Sequence, residues 1–230
     1  MRLTHPVLSA PIHWRENKIP VLVIEHPKLF RQMVFSLSAQ AEGEEGEFCL
    51  SLDYEPLDCG EHLHVLRDYF SLSLDDRKLQ NRFQSLLQTV VREELTEESD
   101  ALQQEIFHYL EHMALAVDYP FSFSGGEYIL PLLKTLKCQP VLDGREPLER
   151  LMQYLTIYNG LMKDQCFVLA EAHTYFSREE LLEFYHMANY KKWRVLLVEQ
   201  RMSNPLPKET FCLLDEELCE LRLDSSGEIR

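Results

Sequence analysis

Cys166-Phe-Val-Leu-Ala170, Ser177-Arg-Glu-Glu180 and Arg194-Val-Leu-Leu-Val198 follow one another within a single stretch of the chain. The first and last are apolar throughout, as strands buried on both faces are. Between them Ser177 and Glu180 have capping-box spacing: the hydroxyl accepts from the amide three residues on, and the carboxylate reaches back. The helix so opened is predicted to run to about Asn189. A strand–helix–strand unit of this length is a crossover between parallel strands, so an α/β sheet is expected.

Working outward, Ile19-Pro-Val-Leu-Val-Ile24 is another buried strand, and Pro27 suits the first position of a helix carrying Leu29, Phe30, Met33, Val34 and Leu37. An acidic Gly-rich turn, Glu42 to Glu47, ends that helix, and Phe48–Leu52 and Leu63–Leu66 read as strands. Pro147 opens a helix with Leu148, Leu151, Leu155 and Tyr158 inward, and Thr210–Leu214 and Leu218–Leu223 resemble closing strands. From about Leu74 the period becomes helical: Leu79, Phe83, Leu86, Leu87 and Val90 form one stripe. Thr96 or Ser99 is the expected cap of a second helix with Leu102, Ile106, Leu110, Met113 and Val117 as its apolar face. A loop from Asp118 to Gly126 leads to a shorter helix, Glu127–Leu136. The expected division is an α/β head over 1–72 and 145–230, interrupted by a helical leg over 73–144.

The 230 residues carry 23 Lys+Arg against 38 Asp+Glu, a formal charge of −15, which excludes a surface that binds nucleic acid all over. The charge is segregated, however. Residues 41–62 hold eight acids and no Lys or Arg, and 86–120 hold eight acids and one Arg. By contrast 128–163 hold five bases and three acids, and 188–208 five bases and one acid. One basic face inside an acidic envelope is expected. The six cysteines form no C-x-x-C pair and read as mostly buried free thiols. With no secretory signal and no apolar run of membrane length, a cytoplasmic protein with no membrane partner is expected.

His108-Tyr-Leu-Glu111-His112 matches H-x-x-E-H, in which two histidines one turn apart hold zinc and the glutamate is general base. A solvated polar face accounts for the same residues. No G-x-x-x-x-G-K-[ST] or G-x-G-x-x-G follows the strand at 19–24, so no backbone cradle for phosphate is expected there. Glu171 and Glu199 each follow a buried strand and read as solvent-facing stops; His62 and His64 read as one face of a strand without a partner. The remaining candidates are basic: Lys134, Lys137, Arg145, Arg150, Lys163, Lys191 and Lys192.

The order of several words resembles the Csn-two family, the CRISPR-associated spacer-acquisition family of type II-A systems. They are Ala10-Pro-Ile, Val21-Leu-Val-Ile-Glu25, Glu127-Tyr-Ile-Leu-Pro-Leu-Leu-Lys134, Tyr175-Phe-Ser-Arg-Glu-Glu-Leu, Arg194-Val-Leu-Leu-Val-Glu199 and Leu213-Leu-Asp-Glu-Glu217. The resemblance implies a degenerate nucleotide-binding-type, mostly parallel sheet head with an inserted α-helical leg. It further implies no ATPase or other enzyme activity and a homotetrameric ring around double-stranded DNA that prefers ends and is stabilised by calcium. The implied partners are the CRISPR integrase complex and the effector nuclease. Lys134 and Lys163 match family lysines and are expected to face DNA. Lys137, three residues on, is expected to share the helix face of Lys134. Arg145, Arg150, Lys191 and Lys192 are expected beside them on local charge. Of the family's acid-rich calcium loop the chain keeps Asp118 and Glu127, with apolar and small residues between.

Overall fold

The computed structural model describes residues 1–123 and 126–224, and the chain divides into two compact units, 1–72 with 142–230 and 73–141. In the first unit, β1 (Arg2–Thr4), β2 (Ile12–His13), β3 (Ile19–Ile24), α1 (Pro27–Ala41), β4 (Cys49–Leu52), β5 (Glu55–Leu57), α2 (Cys59–His62) and β6 (Leu63–Leu66) precede the break. The second unit holds α3 (Arg77–Glu93), α4 (Thr96–Ala116) and α5 (Ile129–Thr135). The first unit then resumes with α6 (Pro147–Leu161), β7 (Cys166–Ala170), α7 (Ala172–Tyr175), α8 (Arg178–Tyr190), β8 (Arg194–Glu199), β9 (Glu209–Leu214) and β10 (Glu220–Leu223).

The main sheet has the order β10-β9-β3-β8-β7-β6, parallel except for β10 at one edge. Of its central strands, β3 and β7 are buried along their whole length and β8 from its second residue on, which is why they read as apolar runs. Pro20 is tolerated in central β3 because the ladder to β8 begins one residue later, at Val21↔Leu197. The capping box that opens α8 is present: Ser177 Oγ accepts from Glu180 N at 3.3 Å and Glu180 Oε2 from Ser177 N at 2.8 Å. A second one, Glu146 with Glu149, opens α6.

A small antiparallel sheet, β2-β1-β4-β5, was not expected. Its strands are two to four residues long and show no period, so only the register, Leu3↔Ile12 and Leu3↔Leu50, brings them together. Leu3, Ile12 and Leu50 join Leu22, Ile24, Met33, Leu37 and Val198 in the core of this unit. Two further expectations fail. No side chain caps α4: Leu95 is its N-cap, and Thr96 Oγ1 instead donates to Arg92 O at 2.8 Å. Of the six free cysteines only Cys166 and Cys212 are buried.

Candidate nucleic-acid interface

Because β3, β6, β7, β8 and β9 are parallel, their first residues share one edge of the sheet. Ile19 pairs with Glu209 and Cys166 with Arg194, and Ile19 N donates to Lys208 O at 2.9 Å. Lys18, Lys208 and Arg194 therefore stand at or one residue before the same rim, joined by Lys163 before β7 and by Lys191 and Lys192 before β8. Lys163, Lys191 and Lys192 are exposed, Lys18 and Lys208 half-buried, and Arg194 pairs with Asp164 at 3.1 Å. Glu16 and Asp164 are interspersed, and Asp58 and Glu61 precede β6.

The physical reason for this accumulation is partly local. Helices α6 and α8 end just before β7 and β8, and cations near a helix C-terminus offset the partial negative charge of its last carbonyls. Four turns entering the strands also hold a non-glycine residue in the left-handed region: Asn17 at φ 58°, Asp164 at 55°, Lys192 at 57° and Lys208 at 78°. Glycine is the least strained residue there, so lysine at 192 and 208 is a choice against local stability.

The opposite edge is acidic. Glu25, Asp68, Glu171 and Asp215–Glu217 follow the strands, with Lys28, Arg67 and Arg201 as the bases nearby. Glu171 is strained (φ 58°) and accepts from Gln200 N at 2.6 Å and Thr174 Oγ1 at 3.3 Å, so its carboxylate fastens two turns together. Glu199 is not a solvent-facing stop: it is buried beside His173, whose Nδ1 lies 3.0 Å from Glu199 Oε1 and whose Nε2 lies 3.0 Å from Glu209 Oε1. Tyr185 OH donates to Glu209 Oε1 at 2.5 Å, and Leu206 N to Oε2 at 2.6 Å. Burial by itself lowers the His173 pKa, but bonding and attraction to the two carboxylates prevail and raise it to about 9. Burial pushes the Glu199 carboxyl up, against the pull of His173. His62 and His64 do not share a strand face: His62 ends α2, and His64 lies against Gln165 Oε1 (2.6 Å) and Tyr154 OH (3.3 Å).

In the helical unit Lys134 is exposed in the last turn of α5. Lys137 does not extend that face, because the helix stops at Thr135 and Lys137 turns away at φ 51°, its amide bonded to Lys134 O at 3.1 Å. Arg145 is exposed, whereas Arg150 is half-buried and donates through Nη1 to Leu142 O at 3.4 Å, bracing its own loop. Asp118 and Glu127 are exposed. Among the described residues no group of three or more His, Cys, Asp or Glu is placed to hold a metal ion. The same holds for zinc at His108, Glu111 and His112. The two rings contact each other on an open face, 4.3 Å between centroids, with Glu111 Oε2 3.8 Å from His108 Nδ1.

A mostly parallel six-stranded α/β sheet with a small antiparallel sheet, a helical insertion and a basic strand-entry edge defines the class of protein: an α/β head interrupted by a helical unit. The chain belongs to a CRISPR-associated protein family (Cas_Csn2), whose model matches residues 40–218. A solved structure, the crystal structure of Stu0660 of Streptococcus thermophilus, shares the fold at a TM-score of 0.53 and 12% identity, covering 93% of this chain and 74% of that one. No curated protein matches the chain. No helix among the described residues is long and apolar enough to cross a membrane.

Proposed function

We propose that this protein is a non-enzymatic, ring-forming binder of double-stranded DNA ends that serves the acquisition of new spacers, alongside the CRISPR integrase complex and the effector nuclease. The observation that carries the reading is the polarity of the main sheet, with Lys18, Lys163, Lys191, Lys192 and Lys208 gathered at its strand-entry edge in a chain of charge −15. Lysines on an exposed rim contact backbone phosphate without reading sequence. The strand-exit edge, where α/β sheets bind nucleotides, carries mainly carboxylates, which disfavours phosphate chemistry there. Assembly is supported by the helical unit: α4 has no buried residue, and Leu102, Tyr109 and Met113, which share one side of the helix at 3.6-residue spacing, are 47%, 67% and 41% exposed. An open apolar face of that kind asks for a partner surface, and a second copy supplies it.

The test is duplex binding by protein of known mass in solution, with linear against covalently closed DNA, each with and without calcium. An oligomer that shifts linear DNA and leaves closed circles free supports threading. Equal binding to both forms removes the ring, and absence of binding to either removes the DNA role.

A further inference from the structure

Strand β6 pairs with β7 on one side and with no strand on the other among the described residues. An unpaired strand edge presents a row of backbone donors and acceptors, and native sheets generally cover it. Here it opens into a cleft of about 180 Å³ lined by Leu63, His64, Val65, Leu66 and Arg67 in succession, together with residues at the end of α1 and Tyr154 of α6. Successive strand side chains point to opposite faces. A cleft touching all five therefore follows the backbone edge, not one face.

The charge beside the cleft is mainly acidic, with Arg67 at one end of its lining as the base present. Glu42 lines it, and the segment it opens carries Glu44, Glu45 and Glu47, all exposed, with no base. That segment is held in place: Gln40 Nε2 donates to Phe48 O at 2.9 Å, Gln40 Oε1 accepts from Phe48 N at 2.9 Å, and Glu44 N donates to Ala39 O at 3.0 Å. The last turn of α1 has no basic residue to offset the partial negative charge of its C-terminal end. Tyr154, in contact with His64 (3.3 Å), which is itself stacked on Phe167 at 5.2 Å, forms the remaining wall.

We propose that the β6 edge captures an extended basic segment of a partner protein as an added strand. Main-chain hydrogen bonds supply affinity in this mode, and neighbouring side chains supply selectivity; here the glutamates select Lys and Arg. The probe is an eight-residue peptide alternating valine and lysine, compared with its valine–glutamate counterpart and with a version N-methylated on alternate amides. The lysine peptide is expected to bind at least about 10-fold more tightly than the glutamate one and to slow hydrogen exchange at Leu63–Leu66. N-methylation is expected to abolish binding, and the exposed pair Glu44→Lys/Glu45→Lys to weaken it about 5-fold or more without unfolding the chain. Equal binding of the methylated peptide, unchanged exchange at β6, or no binding at all overturns the proposal. So does exchange at β6 that is already slow without peptide and slows further with protein concentration, which assigns the edge to a second copy.

Discussion

His173 lies between two buried carboxylates, Glu199 and Glu209, and its raised pKa ties that contact to stability. The imidazole holds its proton up to about pH 9 when folded and to 6.5 when unfolded, so the stabilisation is complete below pH 6.5 and lost as pH rises through 9. Urea unfolding at pH 6, 7.5 and 9 is expected to show falling stability, and His173→Gln to flatten that fall. The same substitution leaves buried charge without its partner, and about 3–5 kcal/mol is expected to be lost at pH 6. Lys192 presents the reverse case. Lys192→Gly relieves a left-handed lysine and is expected to raise stability by about 1 kcal/mol, while lowering duplex affinity. A variant that gains stability with unchanged affinity would place the lysine outside the interface.

At the scale of elements, the strand-entry edge acts as one surface assembled from separate loops. Reversing Lys163, Lys191 and Lys192 to Glu is expected to weaken duplex binding for all sequences alike. The slope of log affinity against log salt should flatten by about 1 for each lysine that contacts phosphate. Unchanged binding, with the same substitution at Lys134 abolishing it, would move the interface to the helical unit. The capping box of α8 offers a calibration away from the site: Ser177→Ala is expected to cost about 1 kcal/mol in thermal unfolding with binding intact.

For the whole molecule the question is assembly. Only Leu74, Leu79 and Ile129 are buried hydrophobics among the described residues of the helical unit. Tyr109→Glu with Met113→Glu is expected to lower the mass found by light scattering and leave the circular dichroism spectrum unchanged, since both side chains are exposed. Persistence of the full assembly would show that other surfaces hold it.

The long elements of this protein are local in origin. β3, β7 and β8 are continuous apolar runs, α1 and α6 open on proline, and α8 opens on a Ser–Glu pair; each is dictated by residues within a few positions. Lys163, Lys191 and Lys192 were legible as local charge, but not as one rim with Lys18 and Lys208. That grouping follows from parallel register, which joins residues up to 190 positions apart through Ile19↔Glu209. The small sheet was illegible because strands of two and three residues have no period and owe their existence to pairing alone. Glu199 read as a surface carboxylate because its cation, His173, comes 26 residues earlier in the chain. Local propensity and patterning thus determined the long strands and helices. Only tertiary contact decided which charges are buried, which share an edge, and which strand is left unpaired, since those depend on neighbours distant in the chain.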